Sequence, residues 1–231
     1  GIAVEYNLAQ VKALKLSPDT LAGIFSGKIA KWDDAAIKAD NSGVSLPGTG
    51  IQVVHRSDGS GTTQVFTSYL KAAAAPGLWD YPTDKDWHAP AGTGAKGSDG
   101  VTAAVKQADG SIGYAEVSFP KQSSLGTAQI KNKGGKFVSP TAAGVTAALA
   151  EATANADGTL TLNYLPASPT AYPVSTTTYL LSYKDGDPTK TAGLKHFAQW
   201  VLTDGQKLAE GLDYAPLPQS VLTPALAAVS G

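Results

Sequence analysis

Short β-branched runs alternate with stretches of helical apolar spacing along almost the whole chain, and no other feature restricts the fold as strongly. Residues 1–8 (GIAVEYNL) read as an apolar strand with no lead-in, so the chain is expected to be cut at that point. Ser17, Pro18 and Asp19 supply an N-cap, a first-turn proline and a first-turn acid, and Leu21, Ile24 and Phe25 follow at helical spacing. A second short helix is expected over 34–39, a strand over 51–55, and a helix through Val65, Phe66, Tyr69 and Leu70. Further along, 99–107 is expected as helix, 111–117 as strand, 141–154 as helix, 173–181 (PVSTTTYLL) as strand and 194–202 as helix, with an Ala-rich helix last. The Pro- and Trp-rich stretch 76–90 reads as a surface connection. Alternation of this kind predicts an α/β layered fold with a largely parallel sheet.

Composition enters by exclusion. The 231 residues carry 18 Lys+Arg against 19 Asp+Glu, a net charge of −1, which argues against nucleic acid as a partner. There is no cysteine, so disulfides, thiolate chemistry and Cys-ligated metals fall away. No run approaches the roughly 18 apolar residues of a membrane span. The length suits one large domain or two lobes.

One count says more. Of the 18 basic residues, 17 are lysine and one, Arg56, is arginine. A guanidinium is planar, permanently charged and offers a fork of donors that fits two oxygens of a carboxylate or phosphate, which an ammonium cannot imitate. Arg56 ends a strand and is followed by Ser57, Asp58, Gly59, Ser60, Gly61 and Thr62, then by the amphipathic helix. The first N–H groups of a helix have no intrahelical partner, and its dipole favours negative charge there. Gly59 and Gly61 let the backbone approach a ligand closely, Ser60 and Thr62 add hydroxyls, and Asp58 is placed to orient Arg56. Together they suit a small multi-oxygen anion, each hydrogen bond to a charged group being worth roughly 1.5–3 kcal/mol.

Other patterns carry less. Gly92, Gly94 and Gly97 fit G-x-G-x-x-G, with Glu116 about 20 residues on. His88, Ala89 and Pro90 precede it where a strand should, so a turn opening a helix N-terminus beside the cleft is the expected use. His55, Asp58 and Ser60 crowd into one loop, where a base cannot sit between nucleophile and orienter, so catalysis is not expected. His88 and His196 stand alone, and no metal site or cofactor is expected. Trp32, Trp79, Trp87 and Trp200 read as packing or lid residues.

The segment HRSDGSGT (55–62) strongly resembles the signature of the phosphate-specific substrate-binding proteins of ABC transporters. Blocks at 16–34 (LSPDTLAGIFSGKIAKWDD), 53–70, 94–101 (GAKGSDGV), 111–117 (SIGYAEV), 173–181 and 212–218 (LDYAPLP) agree in order, so the likeness covers essentially the whole chain. It implies a type II periplasmic-binding-protein-like α/β fold, two lobes joined by two crossing strands and closing on one dehydrated phosphate. On the matching positions Arg56, Ser60, Gly61 and Thr62 would contact phosphate and Asp58 would hold Arg56. The partners implied are inorganic phosphate and a membrane permease, met through the surface of 16–34. The location implied is extracytoplasmic, with the full-length protein secreted and membrane-anchored as a lipoprotein.

Against the family pattern, an N-terminal segment is expected ahead of Gly1. It would supply the other wall of the site, including an Asp that accepts a proton from phosphate and so rejects sulfate. Residues 5–172 are then expected as one complete lobe carrying the phosphate loop, with 1–4 and 173–231 as crossing strands and a partial second lobe. The apolar residues Phe197, Trp200, Val201, Leu208 and Leu212 of that part would need an N-terminal fragment or a second copy to cover them. Two alternatives remain open: a binder of another tetrahedral oxyanion, and a phosphate-ester hydrolase using the same anion site.

Overall fold

The computed structural model describes residues 1–155, 157–181 and 187–230; Ala156, 182–186 and Gly231 of the expected lobes lie outside the described residues. Strand β1 (Ile2–Asn7) is buried on both faces along most of its length, as its run of Ile2, Ala3 and Val4 requires. It pairs antiparallel with β5 (Ser111–Glu116), Ile2 opposite Glu116 and Asn7 opposite Ser111, and on its other side with β6 (Gly126–Thr127). Strand β3 (Gln52–Arg56) runs parallel to both β5 and β4 (Thr93–Ala95). The five-stranded sheet has the order β4-β3-β5-β1-β6.

The sheet is therefore mixed, where the alternation predicts a largely parallel one. Parallel neighbours need a crossover, and helices α3 (Gly61–Ala73), between β3 and β4, and α4 (Gly97–Gln107), between β4 and β5, supply two. β1 adds to that unit in the opposite sense, and β6, antiparallel to β1, returns to the direction of β5. A smaller sheet joins β2 (Lys15–Leu16), β7 (Gln129–Lys131) and β8 (Phe137–Val138).

Helix starts follow their caps. Ser17 accepts from the Thr20 amide ahead of α1 (Pro18–Phe25), and Asp34 from the Ala36 amide ahead of α2 (Ala35–Asp40). After the short α5 (Ser118–Ser123), Thr141 caps α6 (Ala142–Leu149). The expected helix over 141–154 thus ends early. Glu151 instead accepts from the Ala167 and Ser168 amides, and β9 (Thr153–Ala154) turns through Gly158, at φ +84°, to pair with β10 (Leu160–Thr161). Tertiary anchoring of one carboxylate outweighs the helical propensity of the alanines.

The stretch 173–181 is not a strand. The Ile2 amide donates to the Val174 carbonyl at 2.9 Å, and beyond that no ladder partner lies among the described residues. The stretch 76–90 is less superficial than expected: Trp79 is buried, and Trp87 packs edge-on against Phe25 and face-on against His55. The core runs from Ile2 to Val174, with Trp32, Phe25, Phe66, Tyr69, Tyr114 and Tyr172 wholly buried in it. By contrast α7 (Pro188–Leu202), which packs on α8 (Gln219–Ser230), has no fully buried residue.

One core residue breaks the apolar pattern. Glu5, on β1, is wholly buried, and the Thr102 hydroxyl of α4 lies 3.0 and 2.9 Å from its two oxygens. Burial pushes its carboxyl from 4.5 up to about 7; the Thr102 bond opposes this and the Glu116 charge adds to it. The native state therefore holds a proton that the unfolded chain releases. The associated stability is complete below pH 4.5 and is lost as pH rises through about 7. Urea unfolding at about pH 5 and about pH 8 should show the wild type losing on the order of 2 kcal/mol more than Glu5→Gln over that interval. Equal pH dependence in the two proteins would assign Glu5 an ordinary ionisation.

Candidate functional site

Because β3, β4 and β5 run parallel, their C-terminal ends meet at one edge, where α3 and α4 also begin. β3 delivers Arg56 to that edge, and the Ser57 amide continues the ladder onto the Ala95 carbonyl at 2.9 Å. The loop is tied down at Ser60, whose amide donates to the Lys85 carbonyl at 2.8 Å and whose Oγ accepts from the Thr62 amide at 3.1 Å. That bond caps α3. Gly61 opens the helix, where a Cβ would meet nothing within 4 Å, and as a first-turn residue its amide has no intrahelical acceptor.

Arg56 is fixed by a two-pronged pair. Nε donates to Asp58 Oδ1 at 2.8 Å and Nη2 to Oδ2 at 2.6 Å, while Nη1 donates to Ser98 Oγ at 3.2 Å. Asp58 Oδ1 also accepts from the Gly97 amide at 3.0 Å, so one carboxylate joins the β3 loop to the start of α4. The guanidinium, then the Gly97 amide, hold the Asp58 carboxyl well below the usual range. Only 12% of the Arg56 side chain is exposed, so its orientation is set by these partners.

Glu116 closes the group from the end of β5. Thr62 Oγ1 donates to its Oε1 at 2.5 Å, and its Oε2 is buried without a hydrogen-bond partner. Burial pushes this carboxyl up, but the Ser98 and Thr62 hydroxyls and the Arg56 charge together hold it below its ordinary value. Beneath, Thr63 Oγ1 and the Tyr114 hydroxyl lie 2.7 Å apart, and the Tyr114 ring stacks on Phe66. Arg56, Ser60, Gly61, Thr62, Ser98 and Glu116 line an open cleft of roughly 2060 Å³, which Thr176, Thr177 and Tyr179 also line.

Each residue singled out in the loop thus stands at the edge, with different immediate duties. Arg56 and Asp58 bind each other, Ser60 caps, Gly61 presents its amide, and Thr62 spends its hydroxyl proton on Glu116. His55 takes no part. Its Nδ1 lies 3.0 Å from the Arg56 carbonyl, its ring stacks on Trp87 at 5.0 Å, and burial lowers its pKa. Among the described residues no three His, Asp or Glu side chains are grouped to hold a metal ion.

Residues 1–205 match the model of the PBP superfamily domain. The phosphate-binding protein PstS of Pasteurella multocida is 40% identical over 228 residues, covering 96% of this chain and 66% of that protein. The PstS protein of Haemophilus influenzae is 36% identical over 229 residues, covering 96% of this chain and 68% of the other. The chain belongs to the PstS family. A solved high-affinity periplasmic phosphate-binding protein, bound with phosphate, shares the fold at a TM-score of 0.69, with 24% identity over 98% of this chain and 68% of that one. The fold is the type II periplasmic-binding-protein-like one. The chain spans under two thirds, 66%, of the length of the Pasteurella PstS protein.

Set beside the PstS signature, Ser98 and Glu116 are the residues that sequence reasoning misplaced. Glu116 stood as the acidic end of a rejected dinucleotide pattern, and Ser98 only within the 94–101 block, just outside the helix expected over 99–107. The signal was available in topology: β5 neighbours β3 in parallel, so the last residue of one strand reaches the edge where the other ends. With one arginine in the chain, its Nε–H gives a single cross-peak in nitrogen–proton spectra. That peak should be protected from exchange in the wild type and move to the position of free arginine in Asp58→Asn. An unmoved peak would mean that Asp58 does not orient Arg56.

Proposed function

We propose that this chain captures inorganic phosphate reversibly at the Arg56–Thr62 edge of the cleft and delivers it, outside the cytoplasm, to the membrane permease of an ABC transporter. The observation that carries this is the lone guanidinium, locked by Asp58 beside the free N-terminal amide of α3. Of its five N–H groups, three are bound to Asp58 and Ser98, which leaves two for a ligand. Arg56, Ser60, Gly61 and Thr62 are the proposed phosphate contacts, and Asp58 orients Arg56. Relatives 36–40% identical, named as phosphate-binding proteins, support the choice of anion. Capture makes and breaks no covalent bond, so the proposal asks for no general acid or base.

Residues 5–172 are proposed as one lobe, and 1–4 with 173–231 as the crossing strands and part of a second. A core confined largely to 2–174 and the absence of fully buried residues on α7 support that division. Leu194, Phe197 and Trp200, 44–50% exposed, support a cover for that face, either another segment of the whole protein or a second copy. No described helix is long and apolar enough to cross a membrane.

Isothermal titration with phosphate should give saturable uptake. Arg56→Lys should weaken it by about 10- to 100-fold, because the charge stays and the fork is lost. Unchanged affinity in that variant would remove Arg56 from the site.

A further inference from the structure

We propose that the outer face of the small sheet β2-β7-β8, with the turn joining β7 to β8, docks on a membrane surface that carries anionic headgroups. The proposal goes beyond phosphate capture and does not depend on it. The charges of the chain balance to −1 overall, but they are segregated along it. Between Glu5 and Asp19 it carries Lys12 and Lys15 and no acid. Between Glu116 and Glu151 it carries Lys121, Lys131, Lys133 and Lys136 and again no acid. Pairing of β2 with β7 brings the two stretches side by side, Lys15 opposite Gln129 and Leu16 opposite Ile130.

Strand alternation then sorts the faces. Leu16 and Ile130 are buried, and Val138, opposite Ile130, packs against the core, so Lys15, Lys131 and Phe137 stand on the outer face. Lys131 and Phe137 are direct partners, and the ammonium groups of Lys15 and Lys131 lie 5.7 and 5.6 Å from the centre of the Phe137 ring. The ring gathers two like charges on one face, at a range where its π-cloud attracts both. Lys133 and Lys136 are exposed in the turn, which is held by the Asn132 amide on the Lys136 carbonyl and the Gly135 amide on the Asn132 carbonyl. Lys12, also exposed, lies three residues before Lys15.

Among the described residues none of these five lysines makes an ion pair, whereas Lys121 pairs with Asp213. The carboxylates at the borders are turned to backbone amides: Asp40 accepts from Ser17, and Glu151 from Ala167 and Ser168 beside the turn. Five uncompensated ammonium groups on flexible stems, with no shaped pocket between them, suit an extended and fluid anionic plane. An ammonium is a hydrated point charge that meets a headgroup phosphate from many directions, and each one near an anionic bilayer adds to binding. None of the five lines the cleft, so docking occupies a different surface.

Co-sedimentation of the 231-residue chain with vesicles of phosphatidylcholine, with and without phosphatidylglycerol, in chloride buffer tests this. The wild type should bind the vesicles that contain phosphatidylglycerol and not the others, and raising salt from about 50 to about 500 mM should release it. Lys15→Gln, Lys131→Gln and Lys133→Gln together should lower the partition by about 100-fold, while Lys106→Gln, Lys190→Gln and Lys207→Gln together should retain it. Circular dichroism melts establish that each variant is folded; if the first triple variant is not, Lys133→Gln alone should lower the partition about fivefold. Undiminished binding by the folded variants of the patch, equal binding to the neutral vesicles, or no binding by the wild type would overturn the proposal. Binding to polyglutamate without binding to vesicles would also overturn it, in favour of an acidic protein partner. Each of these outcomes leaves phosphate capture as it stands.

Discussion

The pair between Arg56 and Asp58 determines where every other group at the cleft edge can stand. Asp58 takes both prongs of the guanidinium and the Gly97 amide, so it joins the loop after β3 to the first turn of α4. Arg56 extends the same link to Ser98. Two helix N-termini are thereby held at a fixed separation around one cation, and both dipoles would repel that cation if its carboxylate were absent. Three donors are thus committed before any ligand arrives, and those left over are pre-aimed, which lowers the entropic cost of binding.

Much of this was legible in sequence, for a reason particular residues make clear. The cap residues Ser17, Asp34, Ser60 and Thr141 act over three residues or fewer, so local chemistry sufficed to place helix starts. Arg56 and Asp58 are two residues apart and find each other without tertiary help. What escaped depends on distant partners. Helix α6 stops where Glu151 meets the Ala167 and Ser168 amides, sixteen and seventeen residues on. The β-branched stretch 173–181 has the propensity of a strand and lacks a ladder partner among the described residues. Glu116 reaches Thr62 across 54 residues, a contact that only the parallel register of β3 and β5 creates.

Two glutamates close together in the fold show how environment sets charge. Glu5 on β1 faces a single hydroxyl under α4, and burial raises its carboxyl to about 7. Glu116 on the neighbouring β5 also pays for burial, but two hydroxyls and the Arg56 charge reverse the balance. The two are coupled, since the Glu116 charge adds to the rise at Glu5. Below about pH 7, where Glu5 holds its proton and Glu116 stays ionised, that repulsion is relieved, and the negative charge of the pair lies where donors surround it.

The same balance bears on how an anion could be held here at all. Arg56, Asp58 and Glu116 together sum to −1, so the edge does not attract phosphate by net charge. In the proposed site attraction would come from oriented N–H groups, namely the two spare guanidinium donors and the Gly61 amide at the head of α3. Such donors act at hydrogen-bond range and are indifferent to distant screening, whereas a net positive cleft would gather any anion. A site assembled from directional donors, with one carboxylate that orients them, would select by where hydrogens lie and not by how much charge a ligand brings.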